Sequence, residues 1–250
     1  MIRRDRLTRL GACLLGCLLP SVAAAQGDGW DGRVRVSVAG GIQSGSNTLA
    51  QSFSVQQNLE PAPITVSIDA KRATLFDGGI VVRVAGQFGV GVSASYATHD
   101  ANANITALVP HPLFFNQPRT VTGTTPVSRT EVAAHIDGVY IVPAGAVDLL
   151  LSGGPSVFSI DQTLVTDIAY TDAYPYDTAT FTSATSAPAK KTAIGYHVGA
   201  DVTWKASSHV GIGVMVRYAR ATVTLSPASG NTVQDNAGGG QAAAGLRFGF

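Results

Sequence analysis

Past residue 25 the sequence has no cysteine, because the two it contains, Cys13 and Cys17, fall before that point. A disulfide framework, a thiol nucleophile and a cysteine-based metal site are therefore excluded from everything downstream. Charge is also scarce. Asp, Glu, Lys and Arg make up 13% of the 250 residues, against roughly a quarter in an ordinary soluble domain. Long hydrophobic runs are missing too: beyond residue 25 no stretch of about 18 residues lacks a polar interruption, so no helix there reads as a membrane span. Yet hydrophobic residues reach 45% and there are 28 glycines. Two architectures fit this balance, a glycine-rich secreted β protein or a membrane barrel whose apolar and polar residues alternate.

Other absences narrow the chemistry. The five histidines are scattered, with no HxH or HExxH spacing, so no metal site and no cofactor is expected. Gly89-Val90-Gly91-Val92-Ser93-Ala94 matches a loose dinucleotide fingerprint. That fingerprint works only at a strand-to-helix turn, and here the residues lie inside an alternating segment.

At the start of the chain, Arg3, Arg4, Arg6 and Arg9 precede an apolar stretch from Leu10 to Leu19 and a small-residue site at Ala23-Ala24-Ala25. This order predicts a secretory signal over residues 1–25, cleaved before Gln26, with residues 26–250 as one barrel domain. Leu14-Leu15-Gly16-Cys17 resembles a lipoprotein processing box, the alternative reading of the same segment. Removing four of the 17 basic residues and one of the 16 acidic ones leaves 13 and 15. A net charge near −2 gives no reason to expect a nucleic-acid partner.

What is present after residue 30 is period-two alternation. Ile194, Tyr196, Val198, Ala200, Val202 and Trp204 oppose Gly195, His197, Gly199, Asp201, Thr203 and Lys205. The same split recurs from Val210 to Ala219 and from Phe88 to Ala97. Five less regular segments begin near Val34, Gly79, Glu131, Val147 and Gln241. A strand side chain changes face at every residue, so these are eight strands with one apolar face and one polar or small face. Short turns fall at Ala85-Gly86-Gln87, Pro143-Ala144-Gly145 and Lys205 to His209, and long polar connections at 44–70, 99–128, 159–190 and 226–238. That segregation predicts an all-β fold: an eight-stranded antiparallel up-and-down transmembrane β-barrel with four long extracellular loops. Ile64 to Ile68, Thr120 to Val127 and Phe158 to Val165 are β-prone and would carry strands beyond the membrane. Tyr96 and Tyr218 fall near the long-loop ends, and Phe88, Tyr140 and Trp204 near the short turns, as two interfacial girdles require. Core aromatics of a sandwich would show the same alternation.

Gly245-Leu246-Arg247-Phe248-Gly249-Phe250 closes the chain on alternating apolar residues and a final Phe. With the export signal and strand layout, it resembles the small OmpA/OmpX-like group of bacterial outer-membrane barrels. The resemblance covers 26–250 as pattern and only the C-terminus as motif. It implies insertion by the barrel-assembly machinery through Phe248 and Phe250, contact with outer-membrane lipid, and residence in the outer membrane of a Gram-negative-type bacterium. The group is functionally mixed, so membership leaves the activity open.

If the apolar face meets lipid, the other face fills the lumen. Arg35, Arg83, Lys205, Arg217 and Arg247 then meet Asp77, Glu131, Asp137, Asp148 and Asp201, an expected network of paired charges. Eight strands enclose only enough space for side chains, so a plugged barrel is expected, with a narrow conduit for small or hydrophobic solutes as the alternative. His135 and His197 also face inward. Glu131 and His135 lie about 13 Å apart along their strand, so each needs a cross-strand partner. No histidine is followed two residues later by serine. A lipid-modifying enzyme, which would need a Ser–His–acid set at the outer rim, is accordingly not expected. The loops hold the remaining candidates: His111, Leu113, Phe114 and Phe115 in one, Tyr174 and Tyr176 in another. Exposed, such residues mark a binding site for an extracellular partner; packed together, they cap the barrel. The expected role is non-enzymatic, structural or interactive through these loops.

Overall fold

The computed structural model describes residues 32–44, 48–69, 72–226 and 232–250; the expected signal at 1–25 lies outside them. The described residues form strands and turns, with no helix among them. Ten strands follow in order: β1 (Val34–Gln43), β2 (Leu49–Gln57), β3 (Glu60–Ile68), β4 (Ala73–Ala85), β5 (Phe88–Val109), β6 (Arg119–Ala144), β7 (Val147–Asp172), β8 (Ala179–Lys205), β9 (Val210–Leu225) and β10 (Val233–Gly249). Eight of them close a ring, β1–β4–β5–β6–β7–β8–β9–β10–β1, with every pair antiparallel. All eight segments expected from alternation are ring strands.

The three short turns lie where the sequence placed them. Gly86 and Gly145 adopt φ of +55° and +67° there, a left-handed conformation that glycine takes without a Cβ penalty. The long connections differ from expectation. Most of 99–128 and 159–190 is strand, because β5, β6, β7 and β8 run 22, 26, 26 and 27 residues. Much of 44–70 is a hairpin rather than a loop. β3 replaces β4 beside β5: β4 pairs as far as Thr74↔Thr98, and β3 takes over from Ile68↔Ala103 to Ile64↔Ala107.

The apolar face changes sides along these long strands. On β9, Val210, Ile212, Val214, Val216 and Tyr218 point outward and are exposed. From the next residue, Ala219, Ala221, Val223 and Leu225 point inward and are buried, while Arg220, Thr222 and Thr224 take the outside. β5 switches likewise between Tyr96 and Ala97, and β8 beyond Ile194, with Ala189 buried. Below the switch, outward Val38, Phe76, Ile80, Phe88, Ile136 and Trp204 are 46–65% exposed. The belt on β9 covers about 27 Å along the strand, or roughly 20 Å across the membrane after a ~40° tilt, which is close to the ~25 Å lipid-facing band of a transmembrane barrel. Above the switch, a core containing Ile64, Ile105, Phe158, Ile160, Leu164 and Leu225 fills the interior. The part within the belt is apolar outside and polar inside; the extension above it has the pattern of a water-soluble β protein.

Placing charge on either side of this boundary tests it. Val214→Arg lies within the belt and costs about 2–4 kcal/mol. Thr222→Arg lies four outward positions higher, above the switch, and changes stability by under about 0.5 kcal/mol. Urea unfolding of the two variants in lipid vesicles measures the difference.

Candidate functional site

Two regions gather functional side chains, the lumen within the belt and the tip of the extension. Period two sends one residue in two from every ring strand into the lumen, and the register decides which of them meet. From the short-turn end upward, Arg35 pairs with Asp148 at 2.5 Å, with Lys205 3.2 Å from the same carboxylate. Arg247 pairs with Asp201, and Arg217 with Asp77. Higher up, Glu131 accepts from Gln43 Nε2 (3.2 Å) and the Gly238 amide (2.9 Å). Arg129, which lies close to Glu131, also pairs with Asp235. A cavity of about 60 Å³ lies among Asp77, Asp137, Asp201 and Arg217, room for a few waters and far below the size of a solute pocket. Arg83 departs from expectation. It sits beside a register shift at the end of β4, half-buried, and its Nε donates to the Gly86 carbonyl in the turn at 2.8 Å.

His135 and His197 belong to one hydrogen-bonded chain across four strands. The register sets Ser93 opposite His135, His135 opposite Ser156, and Gly154 opposite His197. Ser95 Oγ lies 3.2 Å from His135 Nε2, and His135 Nδ1 lies 2.7 Å from Ser156 Oγ. Ser156 Oγ is 2.9 Å from His197 Nδ1, His197 Nε2 is 2.8 Å from Asp137 Oδ1, and Ser93 donates to Asp137 Oδ2 at 2.9 Å. One proton arrangement satisfies every link with both imidazoles neutral. Ser95 donates to His135 Nε2, and His135 Nδ1–H to Ser156; Ser156 donates to His197 Nδ1, and His197 Nε2–H to Asp137. Ser156, His197 and Asp137 thus have the composition of a nucleophile–base–acid set, but Ser156 is 1% exposed and its hydroxyl is bonded to both histidines. Ser93, Ser95 and Ser156 were not singled out from the sequence, although extending the inward parity of β5 and β7 reaches each of them.

Hydrogen-bonded groups and paired charges line the lumen, while the outer wall of the barrel carries exposed Val, Ile, Phe and Trp throughout the belt. Such a wall is stable only in lipid, and a closed antiparallel barrel satisfies its own backbone there. This chain is an eight-stranded membrane-spanning β-barrel. No protein-family model and no curated protein matches its sequence. Solved structures that resemble it include OprG from Pseudomonas aeruginosa, at 9% identity over 88% of this chain and 97% of that one, with a TM-score of 0.47. Neisserial surface protein A has 13% identity over 90% and 100%, with a TM-score of 0.43. The outer membrane protease OmpT from Escherichia coli has 9% identity over 90% and 99%, with a TM-score of 0.45. At these scores the likeness adds nothing to the ring and the belt.

At the far end of the barrel, three turns meet. Asn58 Nδ2 in the β2–β3 turn donates to the Pro110 carbonyl (3.1 Å), and Glu60 Oε1 accepts from the Asn116 amide (3.0 Å). Arg119 joins the β5–β6 loop to the β7–β8 loop: it pairs with Asp172 at 2.7 Å and donates to the carbonyls of Tyr176 (3.0 Å) and Pro110 (3.1 Å). Tyr170 donates to Gln57 at 2.8 Å, and burial, then the Asp172 carboxylate, push its phenol above the usual value, which keeps it a donor. His111, expected as a contact residue, is buried instead. Its Nδ1 accepts from the amides of Leu113 and Phe114, and its ring packs against Phe114 and Tyr176. Tyr176 is half-buried beside Tyr174. Leu113, Phe114, Phe115 and Tyr174 are exposed, and Leu59 joins them at 83%. Phe248 and Phe250 lie at the opposite end on the outward face, with the Phe250 carbonyl accepting from the Arg33 and Val34 amides.

Removing the Asp77 carboxylate leaves Arg217 buried without its partner, so Asp77→Ala lowers stability by about 3–5 kcal/mol. Ser156→Ala leaves two imidazole nitrogens unsatisfied and costs about 2–6 kcal/mol, on the order of 1–3 for each. Denaturant midpoints in detergent, read by the gel shift between unheated and boiled protein, measure both.

Proposed function

We propose that this protein is a non-enzymatic surface barrel that holds a rigid, apolar-tipped platform clear of its membrane for contact with an extracellular partner. The observation that carries this reading is the cluster of Leu59, Leu113, Phe114, Phe115 and Tyr174, exposed together at the end of cross-tied hairpins. Exposed apolar patches in a soluble environment mark interaction sites. β5 runs 13 residues past Tyr96 to Val109, about 43 Å of strand, which raises the cluster well above the belt. Function in such scaffolds is carried by loops that a stiff framework presents.

The other readings have less behind them. Transport needs a continuous lumen, and here buried ion pairs are overlaid by an apolar core. Catalysis by Ser156 needs a free hydroxyl open to substrate, against its burial and its two histidine partners.

Cells displaying the protein are compared with cells displaying the triple variant Leu113→Ser, Phe114→Ser, Phe115→Ser across a panel of protein-coated and lipid-coated surfaces. The reading predicts adhesion that falls about tenfold or more in the variant, since three exposed apolar side chains are removed, with the gel shift of the barrel intact. Equal adhesion on every surface contradicts it. Planar bilayers loaded with the protein are expected to stay at background conductance; stepwise openings would favour the transport reading.

A further inference from the structure

We propose that the apical cluster docks on a second lipid bilayer, facing the one that holds the barrel, by inserting Leu59, Leu113, Phe114 and Phe115 into a neutral membrane surface. This rests on the platform reading above and names its partner. Four observations point to lipid.

The first is shape. Exposed Leu59 projects from the β2–β3 turn, and exposed Leu113, Phe114 and Phe115 project from the tip of the β5–β6 loop. A fluid apolar layer accepts such a convex tip without a matching pocket.

The second is the backbone. Lipid offers no hydrogen bonds, so a turn that enters it must satisfy its own polar groups. Here the amides of Leu113 and Phe114 are taken by His111 Nδ1 (3.1 and 3.2 Å) and that of Asn116 by Glu60 (3.0 Å). The Pro110 carbonyl is taken by Asn58 and Arg119. Pro110, Pro112 and Pro118 have no amide hydrogen to satisfy.

The third is Leu59. It sits at φ +69° in the left-handed region, which favours glycine or asparagine, and it is 83% exposed. A leucine there neither eases the turn nor packs in the core. Backbone strain of this kind points to a functional demand on the side chain.

The fourth is charge. Residues 58–60, 110–118 and 173–178 contain no Lys or Arg, and their ionised groups are Glu60 and Asp177. Anionic lipid would be repelled, so the surface is neutral, of the phosphatidylcholine kind. Tyr174, 80% exposed, suits the headgroup level, where tyrosine concentrates.

The full chain in nanodiscs is mixed with phosphatidylcholine vesicles and floated on a density gradient. Co-flotation is expected, little affected by salt, and about tenfold weaker or more in the triple Ser variant. Leu59→Gly is expected to weaken vesicle binding while leaving the unfolding midpoint equal or higher, which a purely structural role for Leu59 would not do. Phe115→Trp supplies a direct probe, with added emission that is quenched by brominated lipid in the vesicles and unaffected by brominated lipid in the nanodisc. No co-flotation, or equal binding by the triple variant, overturns the proposal. If the triple variant still loses adhesion to a protein-coated surface in that case, the platform reading stands and only the lipid partner falls.

Discussion

Hydrocarbon cannot accept or donate a hydrogen bond, and the arrangement of this molecule follows from where its strands leave that environment. Inside the belt the outward side chains must be apolar, which sends every charge on a ring strand into the lumen. Above the belt the surroundings are water, and the same strands reverse their faces. On β9 the change occurs between Tyr218 and Ala219 with no break in pairing, since Tyr218↔Gly240 and Ala219↔Gly239 are consecutive pairs with β10. One continuous strand thus serves two solvents.

The lumen shows what that arrangement requires. Several charges withdrawn from water in a narrow barrel are tolerable only when paired, and the pairs come from strands distant in sequence: Arg35 with Asp148, Asp77 with Arg217, Asp201 with Arg247. The Ser–His chain extends the same rule to uncharged groups, with the Ser156 hydroxyl accepting from one histidine and donating to the other. Gly154 permits the close approach opposite His197, since a Cβ there would run into the Ile136 carbonyl. Paired charges in the lumen below and an apolar core above support the apical loops, and Arg119 and Glu60 tie those loops to one another. The presentation of Leu113, Phe114 and Phe115 therefore depends on groups that never touch a partner.

Much of this was legible in the sequence because a barrel strand has one simple period. Val210 to Ala219 and Ile194 to Lys205 show both their faces directly, and the short turns are marked by Gly86 and Gly145. The hairpin of β2 and β3 was hidden for two reasons. Pro61 and Pro63 interrupt β3, and proline normally argues against a strand. The apolar set Ile64, Val66 and Ile68 also faces the interior, opposite to the sense of the belt. Alternation gives the face of His135 but not its neighbour, because Ser156 becomes its partner only through the β6–β7 register. The burial of His111 was equally invisible, since it depends on three turns meeting. Arg83 has lumen parity, and near the end of β4 its Nε turns to the Gly86 carbonyl.

The central claim is that the side reversal marks the edge of the bilayer. Single tryptophans placed at Ile212, Val216, Arg220 and Thr224 on the outward face of β9, in a Trp30→Phe, Trp204→Phe background and in vesicles of brominated lipid, test it most directly. The account predicts strong quenching at 212 and 216 and little at 220 and 224. Quenching that continues through 224, or that is absent at 212 and 216, would contradict it.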